Sequence, residues 1–315
     1  MRKGVLAALS WLVLLAAPFM GQIALDWHAL TLSNSVDAQV FFEIRIPRVA
    51  LAFLAGGVLS LGGLLFQSLF RNPMSTPYTL GTAGAATLFA AIAIVSGWSA
   101  FTPLFAFGGA LLSIALLFLL NARLSSPDTA TLLLTGIALS FFYAAALLLI
   151  YYIADMEQNF EIMRFAMGGL DIVGYTSLIW LTLAALVLLG VSLLTRRALR
   201  MLLASYDFAL LHGVHAKRTA YLLLGAVSLA VGATVSLTGP IGFVGLIVPH
   251  LISRLYRRSA DRLLLPTFFY GGVFLVLCDL IARANPLGAE IPVGVVTAFV
   301  GAPFLVYMLL KRQTP

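Results

Sequence analysis

Uncharged apolar runs of about twenty residues recur along this chain, separated by short polar breaks. A helix rises about 1.5 Å per residue, so roughly 20 apolar residues carry it across the ~30 Å hydrocarbon core of a bilayer. Ten runs meet or approach that length: residues 4–25, 46–66, 80–98, 101–120, 131–153, 175–195, 219–238, 241–253, 263–282 and 291–310. They predict an all-α integral membrane protein with ten transmembrane helices. The eighth run is too short to span alone. Gly239, Pro240, Gly242 and Gly245 crowd its start and Pro249 lies inside it beside His250. It therefore reads as a broken or tilted helix packed among neighbours, because freed backbone groups find no partner in lipid. The first run follows Arg2 and Lys3 but lacks a small-x-small cleavage site, and is read as a retained first helix.

Composition agrees. Of 315 residues, 61% are hydrophobic and 10% charged, whereas about a quarter of an ordinary soluble domain is charged. The net charge of +7 matters less than its placement. With the N-terminus inside, 15 of the 19 basic residues fall on the inner side. The outer side keeps only Arg45, Arg48, Arg164 and Arg283, beside acids that include Asp26, Asp37, Glu43, Asp155, Glu157 and Glu161. Positive residues stay in the cytoplasm, so both termini are expected there, and the charge calls for no nucleic acid. No linker divides the chain, which reads as one membrane domain over 1–315.

Candidate chemistry is sparse. Neither HExxH nor GxSxG is present, no lysine sits in a GxxxxGK[ST] loop, and Cys278 is the only cysteine. His28, His212 and His215 have no metal-ligand partners at usable spacing. The chain is therefore expected to hold no catalytic residue, metal or cofactor and not to be an enzyme; energy from ATP would come from a partner. An ion-coupled secondary transporter, the chief alternative, needs ionisable groups at mid-membrane. Asp279 is the nearest candidate, and Arg283 four residues on suits a local ion pair better than a proton relay.

Three polar stretches stand out. Arg45-Ile46-Pro47-Arg48 opens the second run on the outer side. Arg71-Asn72-Pro73-Met74-Ser75-Thr76-Pro77 closes it on the inner side, where two prolines forbid a regular helix; a gate-like re-entrant turn and an ordinary tight connection both fit. The segment 196–218 is basic at both ends and carries Leu199, Leu202, Leu203, Tyr206 and Leu210 at helical spacing. It suits an interfacial helix or a docking element, and Asp207 near its centre favours docking. A faint echo pairs Gly56, Gly57, Gly62 and Gly63 with Gly225 and Gly232, as inverted repeats would.

The runs RIPRVALAFLAGGVLSLGGLLFQSLFRNPMSTPYTLGTAGA, GPIGFVGLIVPHLISRL and CDLIARANPLGAEIPVGVVTAFVGAPFLVYMLLKR resemble the FecCD-type permeases of ABC importers, which carry iron-siderophores, haem and cobalamin. The resemblance covers essentially the whole chain. It implies a type II ABC importer permease fold in a bacterial inner membrane, dimerised around a central path. The implied partners are a second permease subunit, two ATPase subunits that bind ATP and Mg, and a substrate-binding protein. It further implies ATPase coupling through Asp207, Ala209 and Gly213 within 196–218, and a cytoplasmic gate at Asn72 and Met74, where methionine replaces the usual leucine. Arg45, Arg48 and Arg283 match arginines that meet acidic residues of the binding protein, and Gly239, Pro240, Gly242, Gly245, Pro249 and His250 lie in a conserved structural motif of the family.

Overall fold

The computed structural model describes residues 2–21, 35–123, 129–284 and 290–312, among which no strand occurs. The chain opens with α1 (Arg2–Ala16), closed by a tight turn at Ala17–Phe19. α2 (Val36–Gln39) passes through a widened turn at Val40–Arg45 into α3 (Ile46–Leu69), so Val36–Leu69 forms one 34-residue rod. There follow α4 (Thr82–Val95), α5 (Thr102–Ala122), α6 (Thr129–Ile153), α7 (Met156–Met167), α8 (Thr176–Leu194), α9 (Arg196–Ala204), α10 (Tyr206–Leu211), α11 (Ala216–Thr238), α12 (Val244–Tyr256), α13 (Ala260–Arg283) and α14 (Val293–Arg312).

Among the described residues, six helical stretches are long and apolar enough to cross a membrane: Val36–Leu69, Ser99–Leu120, Thr131–Ile153, Thr176–Leu194, Lys217–Thr238 and Ala260–Arg283. Gly4–Phe19, Thr82–Val95, Val244–Tyr256 and Val293–Met308 are apolar but shorter. Each of the ten apolar runs thus coincides with a helix, while the part of the first run beyond residue 21 lies outside the described residues, as do Asp26 and His28.

The rod is the axis of the bundle. Within Val36–Leu69, 83% of the apolar stretch is buried, against 11% for Thr131–Ile153. α3 is therefore surrounded by protein, while α6 turns most of its surface outward. In lipid, burial of apolar surface gives helices no reason to associate, and close packing of small residues takes over. A methyl group on Gly56 would overlap the Gly271 carbonyl of α13, and one on Gly63 would overlap the Gly245 carbonyl of α12. The two neighbours thus reach the backbone of α3 itself. Several hydroxyls inside the bundle bond to their own helix: Ser192 donates to Leu188 O at 2.6 Å and Thr234 to Ala230 O at 2.8 Å, whereas those of Ser60, Ser113 and Thr267 are buried without a partner among the described residues.

Charges gather at the two ends. At one, Arg200 Nη2 lies 2.7 Å from Asp261 Oδ2 and Arg196 Nε 3.8 Å from it, while Arg71 Nη2 donates to Leu202 O at 3.3 Å. At the other lies the arginine cluster described next.

Candidate functional site

Arg48 enters the membrane end as the third residue of α3, and α13 presents Asp279 and Arg283 to it. Its Nε donates to Asp279 Oδ1 at 3.0 Å. Its Nη1 donates to Glu290 Oε2 at 2.7 Å and lies 3.6 Å from Asp171 Oδ1. Arg283 Nη2 takes the other Asp279 oxygen at 2.8 Å, the i,i+4 pair expected from spacing. Asp279 is wholly buried and both arginines nearly so. Stripping these charges of water is costly, and pairing of this kind offsets the cost. The arginines also grip the chain end that precedes the rod: Arg283 Nη1 donates to Met20 O at 3.1 Å and Arg45 Nη1 to Phe19 O at 3.4 Å. The three arginines singled out in the sequence therefore meet at one end, but buried, with their donors turned inward.

Above Arg48 opens a cavity of about 430 Å³, walled by Met163, Arg164, Asp171, Glu290 and Pro292. One wall is α7, begun by a capping box in which Asp155 accepts from the Gln158 N–H and Gln158 from the Asp155 N–H. Arg164 Nη2 reaches Asp171 Oδ2 at 3.2 Å. Neither α7 nor the roles of Asp171 and Glu290 were anticipated from the apolar runs. Asp155-x-x-Gln158 is the local signal from which α7 could have been read; the partners of Arg48 left no local one.

The broken eighth segment lies deeper. Gly239 (φ 65°) and Phe243 (φ 66°) adopt left-handed backbone before α12. Pro240 packs its carbonyl against Gly168 and Gly294, at the ends of α7 and α14. Phe243, which pays for this conformation as glycine would not, lays its ring where a Gly301 side chain would be. Gly242, with open space around its α-carbon, borders a smaller cavity of about 260 Å³ together with Gly245 and Tyr78. Inside α12, Pro249 has no N–H to give the Gly245 carbonyl one turn back. Gln67 of α3 supplies the missing donor, its Nε2 lying 3.0 Å from that oxygen. His250, next to it, faces the Phe304 ring with centroids 6.3 Å apart.

The proline-rich turn after α3 is compact. Arg71 is left-handed (φ 48°), the Met74 N–H donates to Asn72 Oδ1 at 2.9 Å and the Ser75 N–H to Asn72 O at 3.1 Å. Tyr78, just beyond, accepts the Ile241 N–H at 3.3 Å, joining the turn to the broken segment. Asn72 and Met74 are half-buried.

Segment 196–218 forms two short helices, α9 and α10. α9 is anchored by Leu199, fully buried, and by Arg196 and Arg200 on Asp261, which also accepts from Ser259. Ser205 caps α10, its Oγ accepting the Phe208 N–H at 2.9 Å. Ala209 points inward and is fully buried, whereas Leu211 is 85% exposed, with Phe208 and Leu210 beside it about half exposed. Gly213 closes the element at φ 74° with open space where a side chain would project. The side chain of Asp207 lies outside the described residues. An apolar edge on a charge-anchored platform suits a docking partner and a headgroup layer alike.

Comparison with known proteins addresses the chain as a whole. The profile of the FecCD transport family matches residues 5–311. The hemin transport system permease protein HmuU of Yersinia pestis is 34% identical, over 98% of this chain and 95% of its own. The molybdate import system permease protein MolB of Haemophilus influenzae is 31% identical, over 95% and 89%. A solved structure described as an inward-facing conformation of a metal-chelate type ABC transporter superposes with a TM-score of 0.83 at 29% identity, covering 98% of this chain and 99% of that one.

Proposed function

The chain belongs to the FecCD transport family, and from that premise we propose that it is the membrane-spanning permease subunit of an ATP-driven importer, moving a metal chelate such as an iron-siderophore, haem or cobalamin into the cytoplasm. The observation that carries this reading is the exposed apolar edge of α10 on its anchored platform. It offers an ATPase a place to push, in a chain with no phosphate-binding loop of its own. ATP and Mg would be held by two ATPase subunits.

In this reading the chain is one domain crossing the bacterial inner membrane ten times, with both termini in the cytoplasm, and it pairs with a second copy. The uncovered surface of α6 is compatible with such pairing. α9 and α10, with Asp207, Ala209 and Gly213, carry the coupling. Asn72 and Met74 form the cytoplasmic gate, hinged to the broken segment through Tyr78 and Ile241. Gly239, Pro240, Gly242, Gly245, Pro249 and His250 form that segment's bend. Arg45, Arg48 and Arg283 receive the binding protein: Arg48 floors an outer cavity, and a partner carboxylate would compete there with Glu290 and Asp171.

An ion-coupled carrier would route its ion through Asp279. That carboxylate is held by two arginines, a poor site for a cation or a cycling proton. In cells or vesicles, uptake should survive collapse of the ion gradients and cease on ATP depletion; the reverse pattern would establish the carrier. Hemin and molybdate, the substrates named for two relatives, differ greatly in size. The cargo is therefore best read from the ligand that the partnering binding protein retains.

A further inference from the structure

A groove of about 560 Å³ runs between α1, α12 and α13 at the end of the bundle where the basic residues gather. Leu6, Leu9 and Val13 line it from α1, and Leu251, Phe274 and Leu277 from the other two helices. Its polar groups are few and mostly engaged. Ser10 donates to Leu6 O at 2.8 Å within α1, and the Tyr270 hydroxyl meets that of Tyr256 at 3.1 Å. The exception is Arg254, which lines the groove, is exposed, and has no ion-pair partner among the described residues. Arg257 and Arg258 beside it are also exposed, and Asp261, the next acid along the chain, is already held by Arg196 and Arg200.

We propose that this groove binds an anionic phospholipid of the adjoining leaflet, one acyl chain lying along the slot and the phosphate on the Arg254 guanidinium. Length fits: each lining stretch, such as Leu6–Val13 or Tyr270–Leu277, climbs about 10 Å at ~1.5 Å per residue. One leaflet holds about 15 Å of hydrocarbon, half the ~30 Å core. Chemistry selects the occupant. A peptide in the slot would carry N–H and C=O groups for which the apolar walls offer no partner, and an acyl chain carries none. Charge selects the headgroup, because an unneutralised guanidinium at the mouth matches a phosphodiester in geometry as well as sign. The groove is separate from the gate turn, the coupling helices and the arginine cluster, and its occupation does not depend on what the protein transports.

The test is a lipid titration of the intact purified protein by native mass spectrometry, comparing phosphatidylglycerol with phosphatidylcholine of matched chains. A single surface arginine contributes about 1 kcal/mol toward an anionic lipid, so wild type should prefer phosphatidylglycerol about fivefold. Arg254→Gln should erase that preference, weakening phosphatidylglycerol more than phosphatidylcholine. Arg258→Gln, in the same basic cluster but not lining the groove, should retain it, and Leu277→Trp, which fills the slot, should weaken both lipids. Equal binding of the two lipids by wild type, or identical behaviour of the two arginine variants, overturns the proposal. So does efficient cross-linking between two chains through Leu277→Cys, which would make a second copy the occupant.

Discussion

Arg48 and Asp279 stand 231 positions apart and are joined side chain to side chain at 3.0 Å, both buried, at the N-terminal end of α3. Arg283 lies 2.8 Å from the second oxygen of the same carboxylate, so one acid bridges arginines on two helices, while Glu290 and Asp171 supply further negative charge to Arg48. Asp279→Asn should leave Arg283 without an ion-pair partner among the described residues and Arg48 with only Glu290 and Asp171, and cost about 3–5 kcal/mol, the usual penalty for breaking a buried pair. Thermal unfolding in detergent would show a large drop that added salt does not mimic, since buried pairs are poorly screened. Asp171→Asn, at the exposed pair with Arg164, should shift the transition little.

The contact of α3 with α12 gives a steric prediction. Gly63→Leu should prevent assembly of the folded protein because the Gly245 backbone occupies the space. Gly225→Leu, whose surroundings are open, should express normally. Gln67→Leu should cost about 1–3 kcal/mol by leaving the Gly245 carbonyl buried without a donor. Expression and melting temperature of the three variants check this order.

These contacts mark where sequence reasoning reached and where it stopped. Each apolar run coincides with a helix because length and polarity act on consecutive residues, although only six of the described helices are long enough to cross a bilayer, and the glycines and proline before α12 announced its break for an equally local reason. Gln67 was visible only as a polar residue near the end of a run. Its purpose depends on Pro249, 182 positions on, having no N–H for Gly245. Asp171 and Glu290 became partners of Arg48 only through packing of three distant segments. The glycine echo between the second and seventh runs is uneven in packing: Gly56 and Gly63 abut backbone, Gly232 abuts the side chains of Phe107 and Ala110, and Gly225 abuts nothing.

If the outer cavity receives a binding protein, the carboxylates already on Arg48 compete with it. Glu290→Gln should then tighten docking, by roughly the ~1 kcal/mol of a half-exposed pair, and Arg48→Glu should abolish it. Affinity of the substrate-loaded binding protein for the permease in nanodiscs measures both. Weaker docking by Glu290→Gln would show that Glu290 is itself a contact of the partner.

If the turn at Asn72 and Met74 is a gate between two copies, cysteines replacing Asn72 should cross-link across the pair. The yield should depend on nucleotide state once the ATPase subunits are present. A turn that never cross-links in any state is a connector, whatever its hydrogen bonds.

The most direct measurement is uptake by proteoliposomes containing this chain with its binding protein, with and without the ATPase subunit and ATP. The account predicts uptake only when the ATPase and ATP are both present. It also predicts that Gly213→Trp, placed in open space at the end of α10, inserts normally but separates ATP hydrolysis from uptake. Transport by the permease alone, driven by an ion gradient and indifferent to Gly213→Trp, would contradict it.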